Sequence, residues 1–253
     1  MAGRDNSRID QFMDRAALRR WTRRAIQADQ LSLEALHDTR TIARKVRHQL
    51  NAFLHTADER LAKPRIGSTS FPTPRGTDWS WRPGLWRAPM PLPGVAGVVS
   101  GARFGEEVAL FHDCPLSELT LRQRRNTRGT DLAAFGLQMD VLRFDGSYLS
   151  LAIDLPAAAR QGLTREHIVQ IDLLAEVEHP LDIFARLNLH QGPNAEQLVQ
   201  EVVGGVVEFD LSGSGMSDAP VESAWIDLIF DRPTMNQVVL RDLTVSRRLR
   251  AQF

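Results

Sequence analysis

Cysteine is almost missing from this sequence. The 253 residues hold one, Cys114, so no intrachain disulfide can staple the fold. Long apolar runs are missing too. No segment approaches the ~18 residues of a membrane-spanning helix. Met1 to Ser32 carries both signs of charge and no apolar core of the kind a secretory signal needs, so the cytoplasm is the expected compartment. Nothing matches a Walker loop or a dinucleotide fingerprint, and the four-ligand spacing of a structural zinc site is lacking. No cofactor and no metal is therefore expected, and no catalytic residue is assigned. Net charge is also missing overall, with 31 basic and 31 acidic residues.

The balance hides an asymmetry. Up to Val99 there are 17 Lys+Arg against 9 Asp+Glu, and from Ser100 onward 14 against 22, which is +8 against −8. A basic arm followed by an acidic domain suggests an anionic partner for the arm. Hydrophobic residues at 43% and charged residues at 25% exclude disorder throughout.

The first 63 residues read as a basic helical segment. Ser7 is placed to cap a helix carrying Ile9, Phe12, Met13, Ala16, Ala17 and Trp21 at helical spacing. A second helix is expected from about Ser32 to Ala62, ending before Pro64. In it Leu36, Ala43, Leu50 and Ala57 recur every seven residues, with Thr39, Val46 and Phe53 three later. These are the a and d positions of a short coiled-coil seam, which predicts self-association. Arg15, Arg19 and Arg23 fall on one stripe of the first helix. That stripe suits a phosphate or an anionic bilayer surface, or is simply a solvated face. Nearby Asp10 and Asp14 weaken the field, so nucleic acid is not an expected partner.

Residues 64–101 form a linker by composition, rich in proline and glycine. Trp79, Trp81 and Trp86 within it argue that it packs on the following domain. Residues 102–253 then alternate apolar and polar with period two, as in Leu149-Ser-Leu-Ala-Ile-Asp154 and Ile183-Phe-Ala-Arg-Leu-Asn-Leu189. Turn signals such as Asp145-Gly146, Gly192-Pro193 and Gly204-Gly205 separate these runs. About eight strands predict a mainly β domain, an antiparallel two-sheet β-sandwich of jelly-roll type. In the last run Val238 and Leu240 are out of phase with Leu243 and Val245. One β-bulge near Arg241-Asp242 would restore the phase.

Trp225-Ile-Asp-Leu-Ile-Phe, followed by Met235-Asn-Gln-Val-Val-Leu-Arg-Asp-Leu-Thr-Val-Ser-Arg-Arg, resembles the end of a carbohydrate-binding-module-like jelly roll. Asp78-Trp-Ser-Trp-Arg-Pro, Phe111-His-Asp-Cys-Pro-Leu-Ser-Glu-Leu-Thr-Leu-Arg-Gln and Gly192-Pro-Asn-Ala-Glu-Gln look like an uncharacterised bacterial family, a domain of unknown function. The first resemblance implies a non-enzymatic protein that recognises a glycan-like ligand. The second brings no catalytic residues.

Each candidate group has two readings. Trp79, Trp81 and Trp86 can stack on the apolar faces of a sugar, with Arg82 supplying hydrogen bonds, or can seal one end of the core. Asn194, Glu196 and Gln197, expected in a loop, suit hydroxyl recognition or turn stabilisation. His112-Asp113-Cys114 has the residue types of an activated thiol, and a buried cysteine also behaves as a small hydrophobe. Asp140, Asp145, Asp154, Glu176 and Glu178 would serve a glycosidase only as a close pair; otherwise they are solvated strand faces. Two further classes stay open beside the glycan binder: an interaction or membrane-surface protein acting through its basic helices, and a glycan-active enzyme.

Overall fold

The computed structural model describes residues 3–61 and 71–251. They fall into two compact units, Met1–Phe53 and Leu54–Phe253. In the first unit helix α1 spans Gly3–Ile26, and helix α2 runs Leu33–Leu61, across the boundary. Ser7 lies inside α1, which is already under way, and so does not cap it. The expected end of the second helix at Ala62, before Pro64, and the first part of the linker lie outside the described residues. Leu36, Leu50 and Phe53 of the heptad pattern are exposed.

The second unit holds the strands. In chain order these are β1 (Thr77–Trp81), β2 (Gly94–Ala96), β3 (Ala102–Arg103), β4 (Val108–His112), β5 (Leu119–Arg125), β6 (Phe135–Val141) and β7 (Leu149–Asp154). They continue with β8 (His167–Val177), β9 (Ile183–Gln191), β10 (Asn194–Glu201), β11 (Val206–Asp210), β12 (Ser223–Phe230) and β13 (Asn236–Leu249). A short helix, α3 (Gly84–Arg87), follows β1, and another, α4 (Ala157–Arg160), follows β7. One sheet has the order β11-β8-β13-β6-β5-β2, with β1 also paired to β13. The other has the order β10-β9-β12-β7-β4-β3. All pairings are antiparallel. The chain is mainly β, a two-sheet sandwich as the alternation predicts.

The core lies between the sheets. Leu149, Leu151 and Ile153 of β7, Ala185, Leu187 and Leu189 of β9, and Ile226, Leu228 and Phe230 of β12 close it from one side. Leu137 and Met139 of β6 and Ile171 and Leu173 of β8 close it from the other. The proline-rich stretch does more than pack on the domain, because it supplies β1 and β2 as strands of the first sheet.

Strand β13 organises that sheet. It pairs with β8 along most of its 14 residues. On its other side it pairs with β6 as far as Leu240 and with β1 from Val245 onward. The pairing with β8 slips between Leu240 and Asp242, which is the predicted bulge. It turns Val238, Leu240, Leu243 and Val245 all into the core, although they are out of phase in sequence. A bulge strands backbone carbonyls, and here two side chains cap them. The Trp86 indole N–H donates to Leu240 O at 3.0 Å, and the Asn126 amide donates to Arg241 O at 2.8 Å. Opposite, Gly136 is required: a Cβ there would stand 2.9 Å from Leu240 O. Bidentate ion pairs flank the bulge, Arg82 on Asp242 at 2.7–2.8 Å and Arg241 on Asp131.

An unpaired buried carbonyl costs roughly 1–3 kcal/mol. Trp86→Phe, which keeps most of the ring and loses the donor, is expected to destabilise the sandwich by about that amount in urea unfolding. Unchanged stability would show that the indole does not cap the bulge.

Acid should weaken the fold as well. Hydrogen bonds from Arg247 hold Asp78 below the ordinary carboxylate range. At Asp131 and Asp140 burial pushes the other way, but Arg241 at the first, and Gln138, Gln237, Thr120 and Arg122 at the second, outweigh it. A depressed carboxylate stabilises above its unfolded pKa of about 3.9, and that stability is lost as pH falls through the folded value. Asp172, raised chiefly by burial, has the opposite sign. Asp113 and Asp210 are lowered too, by hydrogen bonds from Ser147 and Ser212, so with five lowered carboxylates set against one the urea midpoint should drop on going from pH 7 to pH 3.

Candidate functional site

The tryptophan cluster divides. Trp86 is fully buried, at 0% exposure, and caps the bulge, so it does not present a face to a ligand. Arg82 is 1% exposed and is clamped on Asp242 under the Phe71 ring. Both are corrected from ligand contacts to structural groups, because the bulge needs their donors. Trp79 and Trp81 stack with centroids 6.4 Å apart and lean, half-buried, on the core. Trp81 pairs with core-facing Val245, so it points into the sandwich.

Asn194, Glu196 and Gln197 lie in strand β10, not in a loop. Alternation separates them. Glu196 pairs with core-facing Leu189, whereas Gln197 pairs with Asn188 and shares its outward face.

Four of the acid candidates are engaged by neighbours; for the fifth, Glu178, the backbone N–H donates to Asn236 Oδ1. Asp140 accepts from Thr120, Arg122, Gln138 and Gln237 on the first sheet. Glu176 pairs with Arg128, Asp145 with Arg143, and Asp154, on the other sheet, with Arg103. The sequence triplet lies where the chain leaves β4, of which His112 is the last residue. Cys114 N–H donates to His112 Nδ1 at 3.2 Å, so Nε2 carries the proton given to Val98 O at 2.8 Å. Both imidazole nitrogens are thereby engaged with backbone. The thiol donates to Leu116 O, and Asp113 accepts from Ser147 and Tyr148. Among the described residues no group of three or more His, Cys, Asp or Glu is placed to hold a metal.

Polar and aromatic groups converge instead on the outer face of the six-stranded sheet. On each strand alternate residues point away from the core, and paired residues share a face. One row across β10, β9, β12 and β7 reads Gln197, Asn188, Trp225, Asp154. The next row, extended through β4 and β3, reads Val199, Arg186, Asp227, Ala152, Ala109, Arg103. A third reads Glu201, Phe184, Ile229, Ser150, Phe111. Ala109, Ala152 and Ser150 are small and buried, which sets a low floor between the taller rows.

Within this face, in the middle row on β12, Asp227 is buried at 4% exposure. Its Oδ2 accepts from Arg186 Nε and Nη2 at 3.0 and 2.8 Å and from Asn188 Nδ2 at 2.9 Å. These bonds fix the Asn188 amide. Its Nδ2 faces Asp227, and its Oδ1 is buried with no hydrogen-bond partner. The Trp225 ring lies beside it, half-buried like Trp79 and Trp81, with the His190 ring tilted at 5.2 Å. The signal for this cluster was present in sequence. Trp225 and Asp227 occupy the polar phase of a strand whose other phase is Ala224, Ile226, Leu228 and Phe230.

Fold and face together define an antiparallel β-sandwich with a helical N-terminal unit and an aromatic–polar strip on one sheet. A model described as a family of unknown function (DUF6478) matches residues 1–253, and the chain belongs to that family. No curated protein matches the chain. Among solved structures, the enzymatically active domain of bacteriophage CBA120 tailspike protein 4 is 9% identical, with a TM-score of 0.40 over 61% of this chain and 21% of that one. A family 11 carbohydrate-binding module from Clostridium thermocellum, in complex with a mixed-linked tetrasaccharide, is 11% identical, with a TM-score of 0.35 over 63% and 99%. The CBM22-1 xylan-binding domain of Paenibacillus barcinonensis Xyn10C is 11% identical, with a TM-score of 0.33 over 71% and 100%. No helix among the described residues is long and apolar enough to cross a membrane.

Proposed function

We propose that this protein is a binding protein that takes a saccharide on the outer face of its six-stranded sheet. The observation that carries this reading is Trp225 set beside the unpartnered Oδ1 of Asn188. A pyranose ring offers an apolar C–H face, which suits an indole. Its hydroxyls both donate and accept. They match the exposed amide of Gln197 and, next to it, an acceptor at Asn188 that is buried without a partner in the free protein. The unmet acceptor costs about 1–3 kcal/mol in the free protein. A ligand hydroxyl that reaches it as neighbouring side chains turn aside recovers that cost.

Trp225→Ala should weaken saccharide binding at least tenfold on a glycan array and in calorimetry, with a cooperative melt retained. Trp81→Ala should instead lower the melting temperature, because that ring leans on the core. Full binding by a folded Trp225→Ala variant would overturn the reading.

A second role is proposed for the N-terminal unit, association with an anionic surface. Arg15, Arg19 and Arg23 are all exposed on one stripe of α1, and Arg24 lies over the Trp21 ring at 5.0 Å. Replacing the three arginines with glutamine should abolish salt-sensitive retention on vesicles containing anionic lipid. Retention unchanged by the replacement would count against it.

A further inference from the structure

We infer that the saccharide is neutral, and not a uronate, sulfated or phosphorylated polymer; this rests on the saccharide reading of the same face. Cations that would hold an acid group are already engaged. Arg186 directs Nε and Nη2 at Asp227, and Arg103 directs Nη2 at Asp154, 2.8 Å away, and at Glu106 O. Among the described residues of the three rows, the charge outside these pairs is Glu201, an anion. His190 borders the face beside Trp225 as the one further titratable ring of the cluster.

A carboxylate or sulfate seated on this face therefore meets guanidinium charges already balanced by Asp227 and Asp154. The pair at Asp227 is costly to break, since a buried carboxylate left alone loses several kcal/mol.

Hydrogen-bond chemistry points the same way. The group without a partner is an acceptor, Asn188 Oδ1, itself buried in the free protein. Carboxylates and sulfates are acceptors only at neutral pH, whereas every sugar hydroxyl can donate. An acid group at that position would set two acceptors against each other. The wider field agrees: Ser100 to Phe253 holds 14 Lys+Arg and 22 Asp+Glu, net −8. A field of that sign lowers the local concentration of polyanions.

The test is calorimetry or affinity electrophoresis of the full chain against two sets of polymers. One set is neutral (dextran, xylan, galactomannan, cello-oligosaccharides) and the other acidic (polygalacturonate, alginate, heparin), each at 50 and 500 mM NaCl. Binding is expected in the neutral set alone, with affinity changing less than twofold between the two salts and falling at least tenfold in Trp225→Ala. Acidic polymer bound in a manner that salt weakens and Trp225→Ala abolishes would overturn the neutral assignment and leave the saccharide face standing. If no polymer of either set binds through Trp225, the saccharide reading itself falls, and this inference with it. Acidic polymer retained equally by Trp225→Ala, with no neutral polymer bound, counts as that second failure, because the exposed arginines of α1 account for it.

Discussion

The bulge at Arg241 is the constraint on which the first sheet turns. Strand β13 is long enough to need two partners on one side, β6 for its first half and β1 for its second. Without the extra residue, the second half would present Asp242, Thr244 and Ser246 to the core and Leu243 and Val245 to solvent. The bulge corrects the phase at the cost of exposed carbonyls, and everything around it answers that cost. Trp86 and Asn126 supply the donors, Gly136 supplies the room, and Arg82 and Arg241 hold the strand on either side. This explains why a segment that reads as a linker is tryptophan-rich. Its tryptophans and Arg82 fasten β1 and α3 to the point where β13 changes partner.

That same constraint shows what sequence could and could not disclose. The bulge was legible because a phase change in an alternating strand is a local pattern: Val238 and Leu240 against Leu243 and Val245. The sandwich was legible for the same reason. The partners of the bulge were not, since Trp86 and Leu240 are 154 residues apart in the chain. A tryptophan that caps a carbonyl and one on an outer strand face are the same residue type; the bond of Trp86, in α3, to Leu240 O separates it. Asn194 and Glu196 failed as loop candidates because Gly192, at φ +58°, turns the chain at once into β10.

The better signal for a binding surface was phase rather than residue type. A large aromatic in the apolar phase of a strand is expected to be core. One in the polar phase, like Trp225, has no core to enter and must be covered by a neighbour or left for a ligand. Asp227, two residues on, is in the same phase, and its burial requires partners from across the sheet. Arg186 and Asn188 satisfy it from β9. Once they do, the Asn188 amide has one orientation left, and its oxygen is left without a donor. The unpartnered acceptor is thus a consequence of a buried carboxylate beside a strand-paired asparagine.

From this follows the chemical character of the face. A surface that spent free cations on its ligand would be selective for acid groups and sensitive to salt. Here the cations are consumed internally, at Asp227 and Asp154, so what they contribute is fixed geometry rather than attraction. For the proposed saccharide the remaining forces would be stacking on Trp225 and hydrogen bonds through Asn188 and Gln197, which are short in range and weakly screened. On that proposal the face discriminates by shape and by the pattern of hydroxyls. It does so within a sandwich of net negative charge, a field that lowers the local concentration of polyanions, while the helical unit, Met1–Phe53, carries a net positive charge of 11 Lys+Arg against 6 Asp+Glu.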